Sequence, residues 1–228
     1  MILRRTRILV PLLAVSLALV TAMAGPAAAQ SKIDKAILKA GVITKADVPG
    51  GWTSKKSTSS DRAYNGIAEC KKIKSAVDSA KKKVPRAQSR EFQAPGSRGT
   101  TAAEDSVYVF KDANAATSFL ANYQAPEAAT CFEKGTAKVT SSQAGAGQPT
   151  VSPVTDLQGV GDDATGYEIA IPFNVQGQTA TLYIDFIAIR VGRTLLGFNF
   201  SNLNERITGG PSIVQAVVAR VAQAQGSA

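Results

Sequence analysis

The sequence contains no histidine and only two cysteines. A Ser-His-Asp or Cys-His catalytic centre therefore cannot be built from this chain, and no imidazole can bind a metal ion. Two cysteines are also too few to complete a four-ligand zinc site. No P-loop and no complete dinucleotide-binding motif occurs, so we expect neither a cofactor nor a metal ion. These absences favour a protein that is not an enzyme.

The sequence has no apolar run long enough to span a bilayer, and its longest apolar run lies at the N-terminus. Three arginines precede an apolar core from Ile8 to Val20, and an alanine triplet ends at Ala29. This order predicts a signal peptide over residues 1–29, cleaved before Gln30. A permanent membrane anchor is the less favoured alternative, because a core of about 13 residues is shorter than the ~20 that span a bilayer. We expect a protein secreted to the cell envelope, with no stable membrane insertion after cleavage.

Positive charge is moderately in excess. Removing the predicted leader takes away three arginines and no acid, which lowers the formal net charge from +9 to +6. Such a charge favours a mild attraction to anionic envelope polymers. Nucleic-acid binding is not expected, because it usually needs basic residues concentrated among aromatic ones.

The two cysteines fit an oxidising compartment. Cys70 and Cys131 are 61 positions apart, whereas redox-active pairs normally lie close together near a helix start. A pair of cysteines in an exported domain therefore predicts one structural disulfide between Cys70 and Cys131.

Apolar periodicity predicts an α+β domain over residues 30–222, with a frayed tail over residues 223–228. The fold class expected is an antiparallel sheet with helices packed largely on one face and a single disulfide. The helices are predicted at Ser31–Ala40, Ile67–Val84, Ala113–Tyr123 and around Val214, Val217, Val218 and Val221. The strands are predicted at Ser89–Gln93, Ser106–Phe110, Phe132–Thr140, Tyr167–Phe173, Thr179–Val191 and Thr194–Ser201, the last three forming a meander.

Few side chains suggest chemistry. Glu168, Asp185, Asp162 and Asp163 could supply a carboxylate pair for glycoside hydrolysis, which needs a specific separation across a cleft. Asp162 and Asp163 could instead hold calcium, although a turn is the better interpretation. No catalytic, metal-binding or ligand-binding residue can be assigned.

Three aromatic residues and a row of lysines have two interpretations each. Trp52, Tyr64 and Tyr167 could line a ligand pocket or lie at the edge of the core. Lys71, Lys72, Lys82 and Lys83 could form an anion-binding stripe on the second predicted helix. The favoured interpretation is the solvated side of an amphipathic helix.

The order of the segments resembles a known family. The segments are ITKADVPGGW, a cysteine helix, DSVYVFKDANAATSFLANY, Cys131, GVGDDATGY, FIAIRVGRTLLGFNF and a final helix. This order is similar to exported sensor-like domains of actinobacteria, of the type found as the extracellular part of a mycobacterial serine/threonine kinase, the PknH-like extracellular domain. The resemblance implies an α+β domain with a ligand-binding cleft. The kinase-linked domain has two disulfides, whereas this chain can form only one.

These observations favour a secreted, non-enzymatic, sensor-like binding domain. Its partner would be a small or envelope-derived ligand or a partner protein. The alternative is a carboxylate-based envelope hydrolase, which predicts two of the acids above facing each other across a pocket. A weaker option is electrostatic attachment to the envelope through the lysine-rich helix.

Overall fold

A computed structural model describes residues 26–57, 64–97, 101–175, 177–207 and 209–226. Within these residues, five α-helices form: α1 (Pro26–Ala40), α2 (Lys71–Lys83), α3 (Ala113–Gln124), α4 (Glu127–Thr140) and α5 (Gly210–Gly226). A 3-10 turn at Ala68–Cys70 precedes α2. The strands are β1 (Thr53–Lys55), β2 (Arg86–Gln88), β3 (Glu91–Gln93), β4 (Ala102–Val109), β5 (Thr150–Pro153), β6 (Asp163–Val175), β7 (Gln178–Val191) and β8 (Thr194–Leu203).

The eight strands form one antiparallel sheet in the order β1-β3-β4-β8-β7-β6-β5, and β2 also pairs with β4. Strands β6, β7 and β8 form the predicted meander, with Gly192 at a positive φ in the tight turn between β7 and β8. Strand β4 lies beside β8, so a long-range pairing completes the centre of the sheet. The α+β class, the antiparallel sheet and the single disulfide are confirmed.

The helices cover both faces of the sheet, whereas we expected them largely on one. We call the side covered by α1 and α5 the front face and the side covered by α2, α3 and α4 the back face. The cause is visible in β4, where Val107 and Val109 enter the front core while Tyr108 enters the back core. A strand with apolar residues on both faces needs cover on both sides.

The predicted strand Phe132–Thr140 is wrong, because this segment is the second half of α4. Ala128, Cys131, Phe132 and Gly135 are buried at helical spacing against the back face. The β-branched residues near the end of the segment favour a strand locally, but burying this stripe outweighs that preference.

The C-terminal end of the described chain differs from expectation. Residues 1–25 of the predicted signal peptide lie outside the described part of the chain. The tail predicted to fray from residue 223 instead continues α5 to Gly226, and the Gln225 amide donates to the Val191 carbonyl at 2.8 Å. Within the described ranges, no helix is long and apolar enough to cross a membrane.

Candidate functional site

A cleft of about 610 Å³ lies on the back face, between the sheet and α2. We call it the α2 cleft. Helix α2 packs mainly on α3 and on the 3-10 turn before it, and this leaves open space between its apolar side and strands β4, β7 and β8. The volume is within the range of small-molecule sites.

The floor of the α2 cleft is a row of small residues across three strands. Ser106 of β4 lies opposite Gly197 of β8, and Gly197 lies opposite Ala188 of β7. A Cβ atom at Gly197 would lie 3.2 Å from the Ser106 hydroxyl oxygen, so any larger side chain there would enter the cleft. Large residues would fill this space, and the small ones leave a depression in the sheet.

Aliphatic and aromatic side chains form the walls. Ile73 and Val77, one helical turn apart, present the apolar side of α2 to the cleft. A connected set of rings closes the other side, with ring centroids 4.9 to 6.4 Å apart: Tyr108, Phe119, Tyr123, Phe132 and Phe186. Apolar walls of this kind favour an apolar or aromatic ligand.

The disulfide fixes the wall that α2 provides. Cys70 immediately precedes α2, and its sulfur is bonded to that of Cys131 in α4, with a Cα–Cα distance of 4.8 Å. Both residues are fully buried in the back core. At its other end, α2 stops at Lys83 and the chain continues into β2, which pairs with β4. Both ends of the helix are therefore attached to the rest of the fold.

Charged side chains line the opening of the α2 cleft. The lining includes three cationic side chains, Lys74, Lys81 and Arg86, and the acid Glu104. Lys74 donates to Asp78 at 2.5 Å, whereas Glu104 accepts from the Ser57 hydroxyl. The hydrogen bond from Lys74 lowers the pKa of Asp78, and the charges of Lys81 and Lys82 act in the same direction.

The structure brings two of the four candidate acids together, on the front face and away from the cleft. Glu168 and Asp185 are cross-strand neighbours on β6 and β7. The Arg206 Nε atom lies 3.0 Å from Glu168 and 3.3 Å from Asp185. Burial raises the pKa of Asp185, and the Arg206 charge opposes that shift. A cavity of about 280 Å³ adjoins Asp185 and Arg206, with mostly apolar walls.

Asp162 and Asp163 do not join this pair. Asp162 accepts from the Arg190 guanidinium at 3.0 Å and from the backbone N–H of Gly192 at 2.6 Å. Asp163 accepts from the Gln124 amide. Their contacts support the turn that the sequence favoured over a calcium site. In the part of the chain that the structure describes, no group of three or more acidic or cysteine side chains could hold a metal ion.

The three candidate aromatic residues have different positions. Tyr64 lines the α2 cleft. Trp52 is buried in the front core, and the Tyr167 hydroxyl donates to the Tyr123 carbonyl at 2.7 Å in the back core. The lysines assigned to an outer stripe remain exposed, but Lys74 and Lys81 on the same helix line the cleft. Lys74 and Lys81 lie next to Ile73 and Val77 on the helical wheel, and this position is the sequence signal that indicates their place at the cleft.

One buried acid is not among the residues predicted from the sequence. Asp105 on β4 is 1% exposed and lies on the front face. Its Oδ1 atom accepts from the Ile43 N–H at 2.8 Å, and its Oδ2 atom has no hydrogen-bond partner among the described residues. Burial raises the pKa of Asp105 to about 7, although the bond from Ile43 opposes the shift. Alternation along β4 does place this acid on the face of Val107 and Val109.

The chain was compared with family models, curated proteins and solved structures. A scan against models of protein families and a search of curated proteins find no match. Among solved structures, the chain is similar to the extracellular domain of PknH from Mycobacterium tuberculosis. The TM-score is 0.47 and the identity 11%, with 82% of this chain and 95% of that chain covered. What the α2 cleft does must be inferred from its own residues.

Proposed function

We propose that the protein is an exported, non-enzymatic, sensor-like domain that captures a small, largely apolar ligand in the α2 cleft. The observation that carries this proposal is the depression formed by Ser106, Gly197 and Ala188 under walls of aliphatic and aromatic side chains. A concave apolar site with a few polar groups at its edge is the usual form of a ligand-binding site. The resemblance of the sequence to exported sensor-like domains agrees with this assignment.

Among the described residues, no pair of acids faces across the cleft. The pair of candidate acids that meets, Glu168 and Asp185, lies on the opposite face of the sheet. The Asp105 side chain also points to the front face, and Glu104 at the cleft accepts from the Ser57 hydroxyl. Binding without chemistry is therefore the function that the cleft supports best.

A neutral fluorescent naphthylamine, N-phenyl-1-naphthylamine, is a suitable first probe because it tests the apolar walls alone. We expect saturable binding of one probe per chain and a thermal shift. At about 100 times Kd a ligand adds about 2.7 kcal/mol of stability, which raises Tm by about 5–10 °C in a domain of this size. Absence of saturable binding would contradict the proposal.

A matched pair of variants locates the probe. Gly197→Val adds a side chain to the floor of the cleft and should weaken binding at least about tenfold, because the new methyl groups take up ligand space. Ser201→Val places the same side chain on the same face of β8, outside the cleft lining, and should bind the probe like the parent. Circular dichroism checks that both variants fold. Equal binding by the two variants would place the probe elsewhere.

The second candidate function is the carboxylate-based hydrolase. It is favoured by the contact of Glu168 and Asp185 around Arg206 beside the smaller cavity, and by the raised pKa of Asp185. Both acids nevertheless lie on neighbouring strands and share one guanidinium, whereas glycosidases place their carboxylates on opposite sides of the sugar. Incubation with cell-wall glycans should release no reducing ends. If reducing ends are released and Asp185→Asn abolishes their release, the hydrolase becomes the favoured function.

A further inference from the structure

The positive charge of the chain is concentrated on α2 and on the residue that begins β2. Residues 71–86 contain seven basic side chains and one acidic side chain, which gives a net charge of +6. The rest of the chain beyond the predicted leader contains 16 basic and 16 acidic residues, so its charges cancel in sum. The excess of positive charge therefore lies in one short segment, where it produces a local positive field rather than a diffuse one.

The outer side of α2, which faces away from the α2 cleft, carries part of this charge along a groove. Lys71 and Lys82 are eleven residues apart, which is about three helical turns, so they lie on the same side of the helix with about 16 Å between their Cα atoms. A surface groove of about 670 Å³ follows the helix past both lysines, and we call it the α2 outer groove. Small residues leave this space open: Gly66, Ala68, Ser75 and Ser79.

Neighbouring acids balance only part of this positive charge. Asp78 lies in the groove, where it accepts from Lys74 at 2.5 Å, and the charges of two further lysines act on it. On the side of α2 next to α4, the Lys72 Nζ atom lies 3.1 Å from the Glu127 carboxylate. Even with both acids counted, the seven basic residues of this segment keep an excess of five charges, whichever lysine each acid contacts.

A polymer chain matches this surface better than a bilayer or a single small anion does. Helices that bind bilayers usually carry large apolar residues beside the basic ones, whereas the outer side of α2 carries Ser75 and Ser79 between Lys71 and Lys82. A small anion at one of these lysines could not reach the other over about 16 Å. A flexible chain with regularly spaced negative charges can contact both, and each added contact raises its overall affinity.

We infer that the α2 outer groove is a docking surface for a linear anionic polymer, whose successive carboxylate or phosphate groups lie along Lys71, Lys82 and Lys83. This inference is independent of the proposed function, because the α2 cleft is on the other side of the helix. The disulfide at Cys70 and the pairing of β2 hold the helix at both ends, so the spacing of the lysines is set before the polymer binds. Such preorganisation reduces the entropy that binding costs.

A length series of one polymer tests the inference. Fluorescently labelled oligomers of L-glutamate with about 2, 8 and 16 residues differ in reach, since an extended chain covers about 3.3 Å per residue. The two longer oligomers can span the distance from Lys71 to Lys82, and their fluorescence anisotropy should report binding at least about tenfold tighter than that of the shortest. Added salt should weaken this binding.

The same series of inorganic polyphosphates, with phosphate in place of carboxylate, identifies the preferred anion. A dependence of affinity on length in either series supports the inference, because only a longer chain contacts both ends of the groove. Equal affinity of all lengths in both series would overturn it. Binding to vesicles of an anionic lipid, with no binding to any oligomer, would also overturn it.

Matched variants assign the binding to the groove. Lys71→Gln combined with Lys82→Gln should weaken binding of the longer oligomers at least about tenfold, whereas Lys71→Arg combined with Lys82→Arg keeps both charges and should bind like the parent. Lys35→Gln combined with Lys39→Gln removes the same charge from exposed positions on α1 and should have little effect. Equal weakening by the two glutamine pairs would overturn the inference, because it would reflect net charge rather than the groove. All these variants should bind N-phenyl-1-naphthylamine like the parent, since none alters the lining of the α2 cleft.

Discussion

Replacing Asp105 with asparagine should remove a large part of the pH dependence of stability. The carboxyl group is 1% exposed, and its Oδ2 atom has no partner among the described residues. Asparagine preserves the shape and the Oδ1 acceptor for the Ile43 N–H, but it cannot ionise. The nearest charges are the Asp47 carboxylate and the Arg220 guanidinium, which bind each other and are unchanged in the variant.

The magnitude follows from the pKa of Asp105. The folded-state pKa of about 7 lies above the ordinary value of 3.8, so the folded protein holds this proton more tightly than the unfolded chain does. The resulting stabilisation is fully present below about pH 4 and is lost as the pH rises through about 7. A shift of about three units corresponds to about 4 kcal/mol in total, of which about 3 kcal/mol is lost between about pH 5 and about pH 8.

Urea unfolding at a series of pH values measures this loss. The free energy of unfolding of the parent should fall by about 3 kcal/mol more than that of Asp105→Asn between about pH 5 and about pH 8. The buried amide adds a cost of about 1–3 kcal/mol that does not change with pH, so the difference in slope is the quantity to compare. Asp112→Asn makes the same chemical change at an exposed N-cap and serves as the control for the loss of one carboxylate. A constant difference between the Asp105→Asn variant and the parent at every pH would refute the reasoning.

Three further variants test the disulfide, the back core and one turn, each by urea unfolding at neutral pH. Replacing Cys70 and Cys131 with serine opens a loop of 61 residues and should cost about 4 kcal/mol; a loss below about 1 kcal/mol would contradict the role of the disulfide. Leu120→Ala, at a fully buried position of α3, should cost about 2–5 kcal/mol, and a smaller loss would mean that the back core collapses around the cavity. Gly145→Ala should cost about 2 kcal/mol, because φ is +81° and the new Cβ atom would lie 2.0 Å from the Asn174 carbonyl oxygen; an unchanged stability would contradict this turn geometry.

The elements with strong periodicity could be predicted from the sequence. The helix that follows Cys70 and the meander of β6, β7 and β8 agree with the prediction within a few residues. The N-cap of α3 is also a local feature: Asp112 is a preferred N-cap residue type, and its side chain accepts from the Ala115 N–H at 2.8 Å. These features depend on neighbours in sequence, and local patterns report them directly.

Features that depend on long-range packing were harder to predict. The prediction of a strand over Phe132–Thr140 was wrong because the buried stripe of α4 begins earlier, at Ala128. Apolar residues lie on both faces of β4, and a strand of this kind needs helices on both sides of the sheet, which the expectation of cover on one face did not include. The α2 cleft could not be predicted, because its floor joins three strands whose register is known only from their pairing.

Because α2 is attached at both ends, substitutions on this helix and substitutions in the sheet have different structural consequences. Residues of the sheet that line the α2 cleft alternate with those of the front core, so a backbone shift caused by a substitution in β4 or β8 disturbs the packing of α1 and α5. Substitutions at Val77 or Lys81 lie on a helix that is held by a covalent link at one end and by β2 at the other. Under the proposed function, the cleft lining can therefore diverge through the helix while the sheet is preserved, and a library randomised only on this side of α2 is the economical way to vary it.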